Sequence, residues 1–244
     1  MPSILALSVD VNFPPALQAE RQEWLSTLHP GLEVKVRAID HGPAFLESAF
    51  DQALAGRAIL EEVIRAQESG LEAVGLLCVS DPFLAACREA VKIPVVGAGQ
   101  AAFLMAASLG GRIGIVNINP GAQPIFQRVI RNTGLAEDIF VSGRSLDLTI
   151  AQMNDSPART LERARKIGQE EIELDGAEVL VLGCTEMGRR TGPELAASLG
   201  VPVIDPNRAL ISLIAAQLSS GLSHSPLSYP PRNHSVAERY IERP

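Results

Sequence analysis

The chain has 244 residues, a 46% hydrophobic fraction carried mainly by aliphatic side chains, and a net charge of -7. This length suits one large domain or two small ones, with ample apolar material for a core. No run of lysine and arginine offers the basic surface that nucleic acid requires, so we expect no nucleic-acid partner. The longest apolar stretches are strand-sized, well below the roughly 20 residues that span a bilayer, so we expect no membrane association.

The start of the chain lacks the basic segment and cleavage site of a signal peptide, which favours a cytoplasmic location. Its three cysteines, Cys78, Cys87 and Cys184, include no close pair, and the four histidines are far from them in sequence. We therefore expect neither a disulfide framework nor a metal site. No lysine stands in a recognisable cofactor motif, and we predict no cofactor.

The first part of the chain alternates strand and helix patterns. Residues 4–9 form a continuous apolar run, typical of a buried parallel strand. Residues 57–69 have apolar positions at helical spacing, and Gly70 supplies the stop. Residues 73–77 predict the next strand, which delivers Cys78 at its carboxyl end. The elements predicted after it are a short helix and a strand, at residues 84–91 and 93–97.

The second part repeats this plan. It predicts a strand, an amphipathic helix, a strand ending at Cys184 and a final strand, at residues 112–116, 159–174, 178–183 and 201–204. Gly70 precedes Cys78 by eight positions, and Gly176 precedes Cys184 by the same number. An internal repeat of strand–helix units indicates an α/β protein of two pseudo-symmetric flavodoxin-like halves. Each half is expected to be a mostly parallel sheet flanked by helices, with the active site between the halves.

The apolar helix predicted at residues 209–218 follows the last strand and can pack back on the first half. We therefore predict a discontinuous first half and a continuous second half. The remaining residues are rich in serine, proline and arginine and predict an arm or a disordered end. The predicted units are residues 1–97 with 205–221, residues 98–204, and the tail at residues 222–244.

Two cysteines occupy equivalent positions at predicted strand ends. In parallel α/β sheets the ligand crevice lies beyond the carboxyl ends of the strands. A helix N-terminus after each cysteine is expected to lower the pKa of the thiol. A single cysteine is more often a buried core residue, but two at equivalent repeat positions favour chemistry. Cys87 lies inside a predicted helix and has no such counterpart, so we interpret it as structural.

A pair of thiols, one ionised and one protonated, matches the inversion of a carbon centre. A base is needed on one face of the substrate and an acid on the other, and no cofactor is required. We expect the thiols of Cys78 and Cys184 to face each other across one cleft. Backbone N–H groups at the helix starts, around residues 79–82 and 185–188, are natural donors to the developing enolate.

These residues resemble the aspartate/glutamate/hydantoin racemase superfamily, and within it the hydantoin racemase branch that includes allantoin racemase. The resemblance covers close to residues 1–221. The matching segments are residues 42–48, 51–54, 78–82 (Cys-Val-Ser-Asp-Pro), 86–90, 93–97 and 182–187 (Leu-Gly-Cys-Thr-Glu-Met).

The resemblance implies cofactor-independent racemisation or epimerisation, with Cys78 and Cys184 as the catalytic pair. Asn12 matches the second asparagine of a turn that the family typically places beside the substrate, whereas Asp10 departs from the first. Residues flanking the cysteines and strand ends complete the expected contacts. The substrate-binding residues predicted in this way are Asn12, Asp10, Val79, Ser80, Asn117, Thr185 and Glu186.

Several positions depart from the hydantoin racemase pattern and leave the substrate open. Phe83 replaces a usual glycine and is expected to narrow or reshape the pocket. Asn117 begins a pair that replaces two threonines, and Thr185-Glu186 is more like the aspartate racemase branch. Asp81 is interpreted as a helix cap rather than a catalytic group. Glu186 is either a first-turn residue facing the helix dipole or a group that contacts substrate or tunes Cys184.

The sequence thus predicts a racemase or epimerase acting on a hydantoin, allantoin or an amino acid, and a homo-oligomer. Two alternatives stay open within the superfamily: a decarboxylase of malonates that uses one cysteine, and a maleate-type cis–trans isomerase. A third is a non-catalytic ligand-binding protein on the same scaffold.

Overall fold

The computed structural model describes residues 1–231 of the chain. The strands of this part are β1 Ser3–Ser8, β2 Glu33–Ala38, β3 Ala73–Leu76, β4 Val95–Gly97, β5 Ile113–Asn117, β6 Phe140–Ser145, β7 Val179–Leu182 and β8 Val203–Ile204. The α-helices are α1 Pro15–Leu28, α2 Ala49–Glu68, α3 Leu84–Ala90, α4 Ala98–Ala107, α5 Gln123–Thr133, α6 Ile150–Asp155, α7 Pro157–Glu173, α8 Thr185–Leu199 and α9 Pro206–Ser219. Two short 3₁₀ helices, Pro120–Ala122 and Glu137–Ile139, complete the regular structure.

The strands form two four-stranded parallel sheets with the same connectivity. The strand orders are β2-β1-β3-β4 and β6-β5-β7-β8, and all pairings are parallel. Gly70 and Gly176, the paired stops of the repeat, both adopt the left-handed backbone, with φ of 78° and 72°. The predicted α/β fold of two similar halves is therefore confirmed.

The sheets share one core and each has a second core of its own. Side chains between the sheets, from both halves, form a single buried cluster that includes Phe103 of α4. The outer face of the first sheet is covered by α2, and that of the second by α7. Helix α9 packs against β3, β4 and α4. The assignment of residues 205–221 to the first half stays a prediction.

Helix α2 begins eight positions earlier than residue 57, where the sequence predicts it to start. Ser48 caps it by accepting a hydrogen bond from the Asp51 N–H at 3.2 Å. Its first turns carry Phe50 and Leu54, which are exposed and obscure the amphipathic pattern. Capping rather than apolar spacing fixes this helix start.

The predicted tail, residues 222–244, lies partly outside the described residues. Its described portion packs on the first half rather than extending away. The Ser223 hydroxyl donates to the Lys92 carbonyl at 2.9 Å, and His224 Nε2 lies 3.0 Å from the Val91 carbonyl oxygen. Tyr229 accepts a hydrogen bond from Arg88 at 3.1 Å.

Candidate active site

The site lies at the carboxyl ends of the two central strand pairs. In each sheet the connectivity reverses between the two middle strands, β1 and β3 or β5 and β7. Such a switch point leaves a crevice where the helices diverge. Asp10 follows β1 and Cys78 follows β3, while Asn117 ends β5 and Cys184 follows β7.

These strand ends enclose a cavity of about 90 Å³ between the halves. It brings together eight of the nine predicted site residues: Asp10, Cys78, Val79, Ser80, Asn117, Cys184, Thr185 and Glu186. Asn12 is exposed and does not line this cavity. Its role as a substrate contact stays a prediction, as do the roles of the other eight.

Cys78 stands at the start of a strained turn. Its Sγ lies 3.1 Å from the Ser80 hydroxyl oxygen. Asp81 and Phe83 both have positive φ, 47° and 55°, in a backbone region that side chains disfavour. Phe83 occupies the position of the family's glycine, and its ring lies beside Gly56 rather than in the thiol cavity. Phe83 does not line the thiol cavity and therefore does not narrow it directly; it lines a neighbouring cavity. The expectation that it reshapes the pocket stays a prediction.

Asp81 is a helix cap, but of α4 rather than of the helix that follows it. Its carboxylate accepts hydrogen bonds from the N–H groups of Gly99 at 2.8 Å and Gln100 at 2.6 Å. A Cβ on Gly99 would lie 2.1 Å from the Val79 carbonyl oxygen, so only glycine permits this approach. The turn after Cys78 is thus fixed to the start of α4.

Cys184 is the N-cap residue of α8. The next residue, Thr185, is buried, and its hydroxyl donates to the Leu77 carbonyl at 3.1 Å across the two halves. Leu77 directly precedes Cys78. The hydrogen bond from Thr185 to Leu77 therefore connects the segments beside the two cysteines, and it keeps both thiols at the same cavity.

The thiol pKa values contradict the expectation from the helix starts. Burial raises the pKa of Cys78 to about 11, although the Ser80 hydroxyl and N–H lower it. Burial and the charge of Glu186 raise the pKa of Cys184 to about 12. Hydrogen bonds from the N–H groups of Glu186 and Met187 lower it less than burial raises it. At both cysteines burial therefore raises the thiol pKa more than the neighbouring N–H groups lower it.

Two carboxylates flank the thiols. Burial, followed by the charge of Glu186, raises the pKa of Asp10 to about 6. Glu186 forms an ion pair with the buried guanidinium of Arg21, which lies over the ring of Trp24 at 5.5 Å. Glu186 lines the cavity, and its charge is one of the causes that raise the pKa of Cys184. Its role toward the substrate stays a prediction.

The structure adds site residues that the sequence reasoning missed. Leu46 and Glu47 reach the cavity from the loop before α2, and Ile150 reaches it from the start of α6. Leu46 and Glu47 belong to a segment that carries the family resemblance, which was the available signal. Arg21 is one of several charged residues of α1, and nothing in its local pattern marks it as buried.

Within residues 1–231, no helix is both long and apolar enough to cross a membrane. The same residues contain no group of three or more histidine, cysteine, aspartate or glutamate side chains placed to hold a metal ion. The predicted oligomer, cytoplasmic location and lack of a nucleic-acid partner stay predictions.

Known proteins resemble this chain in sequence. A family model described as Asp/Glu/Hydantoin racemase matches residues 19–214. The chain is 33% identical to a hydantoin racemase of Rhizobium meliloti over 187 residues, which cover 75% of each protein. It is 34% identical to a hydantoin racemase of Paenarthrobacter aurescens over 185 residues, 75% of this chain and 78% of that protein.

Solved structures share the architecture. An allantoin racemase from Klebsiella pneumoniae has a TM-score of 0.85 and 26% identity, covering 96% of this chain and 95% of that chain. Arylmalonate decarboxylase has a TM-score of 0.61 and 17% identity, covering 93% of this chain and 97% of that chain. At that identity the likeness to the decarboxylase shows the fold alone.

Proposed function

Because the chain belongs to the Asp/Glu/hydantoin racemase family and is an isomerase of the racemase type, we propose that Cys78 and Cys184 are its acid/base pair. The predicted family resemblance is confirmed by the same matches. In the proposed reaction the two thiols invert a carbon next to a carbonyl group, one on each face of the substrate.

The observation that carries this proposal is the shared cavity. Cys78 and Cys184 both line it, each from a different half, and the charge of Cys78 is one of the causes that raise the pKa of Cys184. A substrate carbon between them would have a sulfur on each side. Proton transfer by positioned groups of this kind contributes about 10²–10⁴-fold to a rate.

The proposed cycle needs one thiolate and one thiol. The thiolate removes the proton of the carbon centre, the electron pair moves onto the adjacent carbonyl oxygen as an enolate, and the opposite thiol returns a proton to the other face. The first cysteine is then protonated and the second ionised, so the next turnover runs in the reverse direction. The N–H groups of Ser80 and Glu186 support the thiolate forms.

The charges of the cavity favour a neutral substrate with N–H donors. Asp10, Glu47 and Glu186 line it, and none of its described lining residues is lysine, arginine or histidine. A carboxylate substrate would meet like charges there, which disfavours its binding. A cyclic ureide, such as a hydantoin or allantoin, can donate its ring N–H groups to these acceptors. We therefore propose a cyclic ureide in preference to an amino dicarboxylate.

The same charges bear on the alternatives. Malonates and maleate are dianions near neutral pH and would have no cationic partner among the described lining residues. The decarboxylase and cis–trans isomerase alternatives are therefore less well supported than racemisation. A non-catalytic binding protein shares all of this geometry, and only an assay separates it.

The test is a racemisation assay in D₂O on 5-substituted hydantoins and allantoin, followed by polarimetry and by mass spectrometry of deuterium uptake. Cys78→Ala and Cys184→Ala should each lose racemisation by at least about 10²-fold. Each can still exchange deuterium into one enantiomer, because the remaining thiolate faces one side of the carbon. Cys87→Ala is the matched control, since Cys87 is buried in α3 and does not line the cavity.

Full racemisation by either single variant would remove that cysteine from the mechanism. A wild-type protein that binds a hydantoin without exchanging its proton would support the non-catalytic alternative. Loss of activity in Cys87→Ala equal to that in the other two variants would indicate a general structural effect.

A further inference from the structure

A second cavity, of about 430 Å³, lies on the other side of the turn that follows Cys78. It shares Ser80 and Ile125 with the thiol cavity. Its walls are the turn at residues 80–85, one face of α5, and Tyr229 from the C-terminal segment. Its volume falls in the range of roughly 300–1,000 Å³ that small-molecule sites occupy.

Arg88 contributes a buried positive charge to this cavity. Its side chain donates hydrogen bonds to the Val95 carbonyl at 2.9 Å, to Tyr229 Oη at 3.1 Å and to Gln100 Oε1 at 2.6 Å. All three acceptors are neutral, and a guanidinium has five N–H donors. Two donors are left without an acceptor in the described part of the chain.

The charge of Arg88 has little compensation from nearby carboxylates. Asp81 is the only acidic residue among the described residues that line the cavity. Both of its oxygens are occupied by the N–H groups of Gly99 and Gln100. Burial raises its pKa to about 7, although these N–H groups and the charge of Arg88 lower it. A buried cation without a full counter-charge is costly, and an anion would stabilise it.

A second guanidinium faces the same space. Arg128 lines the cavity from α5, and Asn132 stands one turn further along the same helix face. Within residues 1–231 no ion pair joins Arg128 to a carboxylate. Two guanidinium groups and a side-chain amide thus line one cavity. This cavity carries positive charge, whereas the neighbouring thiol cavity carries negative charge.

We infer that this second cavity is a binding site for a small oxyanion, a carboxylate or a phosphate, held between Arg88 and Arg128. Guanidinium groups bind both oxyanions through paired, charge-assisted hydrogen bonds. The site is separate from the proposed catalytic cavity, although the two share the wall at Ser80. Binding can be measured without any turnover, so the inference stands or fails independently of the racemase proposal.

The experiment is calorimetric titration of the full chain with inorganic phosphate or with acetate, each at constant ionic strength set with potassium chloride. We expect saturable binding of one anion per chain. Arg128→Gln should raise the Kd by about tenfold or more, the effect of losing a hydrogen bond to a charged group. Arg131→Gln is the matched control, because Arg131 is exposed on the same helix, pairs with Glu137 and does not line the cavity.

Saturable binding of phosphate alone or acetate alone would support the site and identify its anion. No saturable binding of either probe would overturn the inference. Equal Kd values for the wild type and Arg128→Gln would place any bound anion elsewhere and would also overturn it. Arg128 is exposed, so its replacement is not expected to disturb folding; thermal unfolding of the variant checks this directly.

Discussion

The carboxylate of Glu186 is paired with the guanidinium of Arg21, whose side chain is only 2% exposed. The pair joins α1 of the first half to the start of α8 in the second half. Arg21 also donates to the Thr185 carbonyl at 3.4 Å. Glu186 lines the cavity that holds the thiols, while the guanidinium of Arg21 lies 5.8 Å from the Phe13 ring and 5.5 Å from the Trp24 ring.

Replacing Arg21 should destabilise the protein strongly. Arg21→Met leaves the Glu186 carboxylate half-buried and unpaired, and breaking a buried pair in this way costs about 3–5 kcal/mol. Urea unfolding measures the loss. The double variant Arg21→Met/Glu186→Gln should recover part of it, because the orphaned charge is gone. A double variant no more stable than Arg21→Met would show that the charge pair is not the cause.

Alkylation of the thiols should be slow at neutral pH and should accelerate as the pH rises. The pKa of Cys78 is raised to about 11 and that of Cys184 to about 12, and the thiolate is the reactive form. Its fraction grows roughly tenfold per pH unit below the pKa. Iodoacetamide labelling, followed by peptide mass spectrometry between about pH 7 and 10, measures both sites. A plateau near pH 8 would contradict the raised pKa values. Bound substrate should slow the labelling.

Asp10→Asn should stabilise the protein at about pH 8 but not at about pH 4. The folded-state pKa of Asp10, about 6, lies above its ordinary value. Asp10 therefore stabilises the folded protein fully only below the ordinary pKa of an aspartate. This stabilisation is lost as the pH rises through about 6. Urea unfolding at both pH values measures the change, with Asp138→Asn, an exposed site, as control. Equal effects at the two pH values would contradict this account.

Removing the Asp81 cap should loosen the turn after Cys78. Asp81→Ala takes away the acceptor for the Gly99 and Gln100 N–H groups, and loss of a helix cap costs about 0.5–2 kcal/mol. We expect Asp81→Asn to recover part of that stability, since an amide oxygen still accepts. Unfolding of both variants by urea tests the order, and a variant Asp81→Ala as stable as the wild type would refute the cap.

The sheets, and the placement of the two cysteines at one cavity, were predictable because their signals are local. Buried parallel strands read as apolar runs, and the repeat fixed which strand ends correspond. The thiol pKa values were not predictable from the helix starts, because desolvation raises them and depends on how tightly the halves enclose Cys78 and Cys184. That enclosure is a property of long-range packing and has no local pattern.

The electrostatic partners were also beyond local reasoning. Arg21 and Glu186 are 165 positions apart, and Asp81 caps a helix that begins 17 positions after it. Asp81, the acidic residue before the turn proline Pro82, looks like a cap for the nearest helix, α3. In the structure Asp81 has a positive φ of 47°, and its carboxylate accepts the N–H of Gly99 at the start of α4 instead. The sequence therefore predicts that Asp81 caps a helix, but it does not indicate which helix Asp81 caps.

Helix α4 couples the thermal unfolding of the two halves. Its buried Phe103 belongs to one apolar cluster with Ala6 and Val96 of the first sheet and with Ile115 and Val181 of the second. Unfolding either sheet alone would expose apolar side chains of α4 that are buried only while both sheets are folded. The halves, although built on separate sheets, should therefore melt together in one cooperative transition, with equal calorimetric and van't Hoff enthalpies.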